Sequence, residues 1–222
     1  MMKPKKRLTR REIKEDKLVT YAYKTTDFLN KNSKLVTGVV IGVLVIAVLA
    51  FFMSRSKTQA NQLASAKLAE AMMYYNNLNY DKAIPVLKDV IDKYDGTKSA
   101  GFAIFYLANS YFNKANYQDA LVYFKKYLKE YGKDKLMSST SIAGIASCLD
   151  SQGKYLEAAK TFEKAAKKYP KIYSASNNLF NAALCYQKAG KNSDAKRVLA
   201  MIKEKYPKSY AKNDVALLLS QL

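Results

Sequence analysis

The residues equipped for covalent or metal chemistry are few. Cys148 and Cys185 are the only thiols, and histidine and tryptophan are absent from all 222 positions. Without an imidazole, the commonest general base and the commonest metal ligand are both missing. Two cysteines are too few for a disulfide scaffold or a cysteine-rich zinc site. No Ser-His-Asp, Cys-His or HExxH arrangement can be assembled. The chain reads as a non-enzyme with no cofactor and no metal.

What positions the two cysteines is a repeat. Four segments align: NYDKAIPVLKDVIDKYDG from Asn79, NYQDALVYFKKYLKEYGK from Asn116, KYLEAAKTFEKAAKKYPK from Lys154 and KNSDAKRVLAMIKEKYPK from Lys191. Ala83, Ala120, Ala158 and Ala195 correspond, as do Tyr94, Tyr131, Tyr169 and Tyr206, both series stepping by 37, 38 and 37 residues. A period of this size is the signature of a solenoid. Cys148 and Cys185 occupy one position in consecutive copies, which stacking places ~10 Å apart, beyond disulfide reach. They read as small core residues rather than a redox pair.

Each segment follows a second stretch of apolar periodicity, carrying Ala71 and Tyr74, then Leu107, Ala108 and Tyr111, then Ile145, Ala146 and Leu149, then Ala182, Ala183 and Tyr186. Short breakers at Asn76-Asn77, Asn116, Gly153 and Gly190 separate the paired stretches. Each copy is therefore two antiparallel helices joined by a tight turn. The alanines allow close helix approach, with Leu87, Phe124, Phe162 and Leu199 filling the space between. The fold class is all-α: an N-terminal transmembrane helix, then a right-handed solenoid of four hairpins and a capping helix over 210–222. The repeats fall at about 64–97, 101–134, 139–172 and 176–209, within a domain of 63–222.

Leu35 to Met53 contains no charged residue across nineteen positions. As a helix it rises ~28 Å, about the thickness of a hydrocarbon core. The run is too long, and too far from the start, for a cleaved signal peptide. It reads as a signal anchor, with 54–62 as a linker. Residues 1–34 carry eleven Lys/Arg against four Asp/Glu. The positive-inside rule then keeps this segment in the cytoplasm and exports the repeats. Gly38 and Gly42 form a GxxxG, open to two readings: packing against a second span in a homodimer, or the glycine common in membrane helices.

Within the basic segment, Thr9 and Glu12 have capping-box spacing, so a helix is expected to begin near residue 10. Leu18, Tyr21, Thr25, Phe28 and Leu29 share one face of it, with Lys14, Lys17 and Lys24 elsewhere. Such a helix either lies on anionic lipid or is a solvated tail whose charge sets topology. No motif supports nucleic-acid binding.

The first helix of each repeat should line the concave surface. Repeat register places Leu68, Met72 and Tyr75 there in the first copy, and Phe102, Phe105, Asn109 and Phe112 in the second. Ala143 and Ser147 follow in the third, Phe180 and Leu184 in the fourth. Phe102, Phe105 and Phe112 are expected to turn away from their repeat's own second helix. Aromatic residues on an open face suit extended apolar peptide; the alternative is that neighbouring elements cover them. Lysines such as Lys125, Lys126 and Lys129 form a solvated face able to steer acidic partners.

These residues resemble the tetratricopeptide repeat, with its small residues and aromatics at fixed positions; Pro170 and Pro207 match its late proline, while Asp95 and Gly132 depart from it. Its usual first-helix tryptophan is replaced by Lys67, Ile104, Ile142 and Leu179. The whole arrangement, a basic tail, one span and four long-period repeats, is similar to the bacterial YfgM-like family of ancillary translocon subunits related to the division coordinator CpoB. That resemblance implies an inner-membrane protein whose repeats face the periplasm, with the Sec translocon, chaperones or newly exported chains as partners. A coordinator linking inner membrane to wall or outer membrane is the other function it implies. Of the clamp with which some repeat proteins grip chaperone C-termini, Asn109 matches one asparagine, but Gly144 replaces the other. Asn109 is then expected to bond the backbone of a groove occupant, or water.

Overall fold

The computed structural model describes residues 17–207 and 212–222, and all ten elements among them are helices. The capping box at Thr9 and Glu12 lies outside the described residues. The chain divides into two compact units, Met1–Ser56 and Lys57–Leu222.

The first unit holds α1 (Lys17–Lys31) and the opening part of α2 (Ser33–Asn76). One window of α2 is long and apolar enough to cross a membrane, and it is wholly unburied. A Cβ added at Gly38 or Gly42 would meet no atom within 4 Å. Residues 54–62, expected as a linker, are helical, since Ser-Arg-Ser-Lys-Thr-Gln-Ala-Asn-Gln offers no glycine or proline to stop α2.

In the second unit the end of α2 pairs with α3 (Tyr80–Lys93), and α4 (Lys98–Asn113) with α5 (Tyr117–Glu130). Then come α6 (Lys135–Ser151) with α7 (Tyr155–Lys168), and α8 (Ala175–Lys188) with α9 (Asn192–Lys205). The last helix, α10 (Lys212–Ser220), buries Val215 and Leu218 in the cluster built by the final two hairpins. This is a tetratricopeptide-like solenoid.

Inside every hairpin the small residues meet. Ala71, Ala108, Ala146 and Ala183 on the first helices expose no surface, nor do Ala83, Ala120, Ala158 and Ala195 on the second. Leu87, Phe124, Phe162 and Leu199 are buried beside them, as the pattern requires. Cys148 and Cys185 are free, buried thiols, pushed by burial to about 11 and about 12, which keeps them protonated and unreactive.

The four hairpin turns are one turn repeated. Leu78, Ala115, Gly153 and Gly190 each take a left-handed φ, between 57° and 76°. In each case that residue's N–H donates three residues back, and the next N–H five back: Leu78 to Tyr75 and Asn79 to Tyr74, Gly153 to Asp150 and Lys154 to Leu149. This is the Schellman motif, which satisfies the orphan carbonyls of the first helix. Sequence at the turn changes midway along the solenoid. The first two turns force Leu78 and Ala115 into a strained region, yet Asn79 and Asn116 then cap the next helix through Lys82 N and Asp119 N. The last two relax the turn with glycine, while Lys154 and Lys191 make no side-chain cap.

Neighbouring repeats are also pinned by the recurrent tyrosine. Tyr131 Oη donates to Asp95 Oδ1 (2.9 Å) and accepts from Gly96 N (2.7 Å), and Tyr206 Oη donates to Pro170 O (2.9 Å). The upstream edge is held by Asn61, whose Oδ1 accepts from both Ser99 N and Ser99 Oγ at 3.1 Å.

The two halves therefore carry opposite, correctable defects at their turns. Ala115→Gly should stabilise by about 0.5–1 kcal/mol, the left-handed strain relieved less the entropy gained by the unfolded chain. Lys154→Asn should add about 0.5–2 kcal/mol by supplying the missing cap. Denaturant melts of the repeat protein check both. A Lys154→Asn variant no more stable than its parent would show that the turn does not place an N-cap side chain.

Candidate interaction face

Three rows run across the first helices of the hairpins. Leu68, Phe105, Ala143 and Phe180 form one, Met72, Asn109, Ser147 and Leu184 the next, and Tyr75, Phe112, Asp150 and Gln187 the third. Every one of these twelve residues is half-buried. None is sealed in the core as their neighbours Ile104, Leu107 and Ala108 are. Phe102 projects furthest, with 43% of its surface exposed.

One expectation about this face is corrected. Phe105 and Phe112 do not turn away from their repeat's own second helix. The Phe105 ring lies 6.2 Å from Phe124 and 5.9 Å from Tyr127, both on α5, and Phe112 lies 5.5 Å from Tyr117. A ring at this register is long enough to reach between the two helices while keeping one edge open. Asn109, for its part, donates from Nδ2 to Phe105 O of its own helix at 2.8 Å. That four-residue back-bond uses one of the two amide hydrogens and leaves the other, with Oδ1, for a groove occupant.

Around Phe105 the aromatics are contiguous. Tyr80, Tyr75, Tyr106, Phe105, Tyr127 and Tyr131 follow one another with centroid separations of 5.1–6.4 Å. Most contacts are edge-to-face, the arrangement ring quadrupoles favour. Beside them Phe102, Tyr127, Tyr131 and Met137 give apolar lining to a cleft of about 810 Å³, rimmed by Lys57, Lys98, Glu130, Lys133 and Asp134. Tyr131 is pushed up to about 12, chiefly by burial and then by its bond to Asp95, so it is a neutral donor across the physiological range.

Two close approaches shape this region. A Cβ at Gly101 would stand 2.6 Å from the Tyr131 ring. One at Gly144 would collide with the ring of Phe124. Gly144 is thus explained by packing: the aromatic of the preceding hairpin occupies the space a side chain would need.

The later repeats differ. Their part of the face carries Ala143 and Ser147, and Lys188 Nζ closes on Asp150 at 2.8 and 3.0 Å while lying 5.4 Å from the centre of the Tyr155 ring. Phe180 and Leu184 remain as its apolar part. The Asp150–Lys188 pair and the cleft beside Tyr131 were not anticipated. The pair follows from repeat register once Asp150 and Gln187 are seen to be equivalent, because Lys188 stands next along the helix.

Away from the face, Glu163 is buried on α7 and fully partnered. It accepts Arg197 Nη1 and Nη2 at 2.8 and 3.1 Å and Tyr186 Oη at 2.8 Å, and it pairs with Lys167 Nζ at 2.7 Å. The Arg197 hydrogen bonds, then those of Lys167 and Tyr186, outweigh desolvation and hold the carboxyl down at about 2. Tyr186 is driven up to about 12 by burial and by Glu163. Three of the four hairpin helices in the last two repeats meet at this carboxylate.

A family model described as a tetratricopeptide repeat-like domain matches residues 26–205. The chain belongs to that family. No curated protein matches it. Among solved structures, a tetratricopeptide repeat protein from Parabacteroides merdae is 17% identical, with a TM-score of 0.59 over 72% of this chain and 60% of that one. The present tetratricopeptide repeat chain thus spans less than two thirds of that relative's length. A Podosopora anserina putative kinesin light chain with nearly identical repeats gives 17% identity and a TM-score of 0.58, over 73% and 85% of the two chains. A MamA double mutant gives 13% and 0.54, over 71% and 91%. At these identities the likeness concerns the fold. Tetratricopeptide repeats in general are scaffolds for protein–protein contacts, and this family membership supports that role here.

Arg197→Met should move the acid limit of stability. With Glu163 held at about 2, its contribution is complete above the ordinary carboxylate pKa of ~4.3 and is lost as pH falls through about 2. Removing the guanidinium raises that pKa, so the loss begins at higher pH. At neutral pH the cost should lie at or below the low end of ~3–5 kcal/mol, because Arg197 is half exposed. Melts from pH 7 to pH 2 on parent and variant test it, and parallel curves would remove the ion pair from the stability argument. Gly144→Ala should separately cost about 1–3 kcal/mol by overpacking Phe124.

Proposed function

We propose that this tetratricopeptide repeat protein is a membrane-anchored scaffold that holds extended apolar segments of partner proteins on the aromatic face of its first two repeats. Leu35–Met53 spans the inner membrane, the basic N-terminal segment stays in the cytoplasm, and the repeats lie on the periplasmic side. The YfgM-like resemblance supports the Sec translocon, its chaperones or newly exported chains as partners. No enzymatic step is part of this reading.

The observation that carries it is the half-burial of Leu68, Met72, Tyr75, Phe105 and Phe112 together with the exposure of Phe102. A row of large apolar side chains left partly open is costly unless something covers it. A few such anchors supply most of the affinity of a protein interface.

Photocrosslinking in intact membranes tests the proposal, with the reactive residue at Met72 of the full-length chain. Capture of translocon subunits or exported chains is expected, and Phe102→Ser should reduce it several-fold. Because Phe102 is more than half covered, its removal should cost about 1–2 kcal/mol of stability, so capture is compared well below the melts of both proteins. Capture from Lys125 on a second helix, with none from Met72, would move the binding surface off this face. Capture of wall or outer-membrane components instead would favour the envelope-coordinator role.

A further inference from the structure

We propose that α1 is a membrane-surface helix, with Lys24 and Lys31 binding anionic phospholipid headgroups while Tyr21, Phe28 and Leu29 enter the headgroup layer. The inference rests on the reading of Leu35–Met53 as a span, and adds a lipid-recognition site to it.

Tyr21, Thr25, Phe28 and Leu29 fall at helical spacing, and the three large apolar members are 70%, 58% and 43% exposed. Among the described residues of the Met1–Ser56 unit nothing packs over them. Thr25 sits among them, but its hydroxyl donates to Tyr21 O at 2.8 Å and adds no free donor to the face, while the Tyr21 phenol can stay at the headgroup level. Thr26 is satisfied in the same way by Ala22 O at 2.7 Å.

The lysines complete the pattern. Lys24 and Lys31 are seven residues apart, two helical turns, and so flank the same edge of the Tyr21–Phe28 face. Lys31 is paired with Asp27 at 2.8 Å, but both groups are well exposed and such a pair contributes little, so a phosphate can replace the carboxylate. The surrounding segment 1–34 has eleven basic residues against four acidic ones. A net-positive helix with an open aromatic edge, ending at Lys31 three residues short of the uncharged apolar run from Leu35, matches an anionic bilayer surface in both charge and position. A soluble acidic partner would match the lysines but leave the aromatic edge without a reason to be there.

The absence of tryptophan makes the test direct. Phe28→Trp, Tyr23→Trp and Phe51→Trp are each made in the full-length chain and reconstituted in nanodiscs carrying brominated acyl chains. In mixed phosphatidylcholine–phosphatidylglycerol discs, the Phe28→Trp emission should be blue-shifted and quenched, while Tyr23→Trp, on the far side of α1, reports water. The Phe28→Trp signal should weaken severalfold in phosphatidylcholine alone, in high salt, or with Lys24→Gln and Lys31→Gln added. A water-like spectrum from Phe28→Trp in the anionic discs overturns the proposal, as does quenching that is equal with and without phosphatidylglycerol. Phe51→Trp separates the two readings. If it is quenched while Phe28→Trp is not, the span stands and the surface helix falls; if neither is quenched, both fall.

Discussion

Alanine facing alanine sets the geometry of the repeat domain. Ala71 and Ala83 share one cluster, Ala108 and Ala120 another, and Ala146, Ala158, Ala183 and Ala195 a third, all without exposed surface. Helix axes reach the short end of their ~8–10 Å range only where the crossing residues are small. The helices are joined by three-residue connections, in which the chain reverses through a left-handed residue. The larger Leu87, Phe124, Phe162 and Leu199 then seal the space above and below the crossing. Register along each first helix follows, and with it the three rows that make the interaction face.

The left-handed turn residue exposes how much latitude such a constraint permits. Gly153 and Gly190 meet it at no steric cost, but Leu78 and Ala115 meet it as well. Tertiary packing overrides a local penalty of ~1–2 kcal/mol when the helices on either side have a single way to pack. The Asn79 and Asn116 caps offset part of that penalty in the same hairpins. Glycine alone would have located two of the four turns, and the breaker residues Asn76-Asn77 and Asn116 located the other two only to within a couple of positions.

Periodicity made the helices, the alanine crossings and the recurrent tyrosine legible before any coordinates, because each depends on residue size at a fixed spacing. Side-chain direction at half-buried positions was not legible. Whether Phe105 leans outward or toward α5 depends on Phe124, and the place of Phe124 depends in turn on Gly144 in the following hairpin. That chain of contacts spans three helices and leaves no periodic trace. Glu163 is a similar case. On the α7 pattern it reads as one more polar residue among lysines, and its burial follows only from Tyr186 and Arg197 of the next repeat arriving over it. Residues 54–62, set apart as a linker, are helical because no residue there breaks a helix.

The two halves of the solenoid are consequently held by different physics, and this bears on where a ligand can act. The last two repeats are tied by a buried carboxylate with four donors and, on the face, by Asp150–Lys188. The first two rely on ring-to-ring contacts whose outer edges remain open, and their inter-repeat pair, Lys114 with Asp81, is exposed. Aromatic contacts tolerate small sliding, whereas a bidentate arginine–carboxylate pair does not. An incoming apolar segment can add contacts to Tyr75, Phe105 and Phe112 without first breaking an ion pair, since these rings already carry part of the packing through their inner edges. Phe102, with no aromatic partner of its own among the ring pairs, has the most to gain from being covered. Affinity should therefore concentrate at the junction of the first and second repeats, with the later repeats acting as the rigid body that keeps this junction in register.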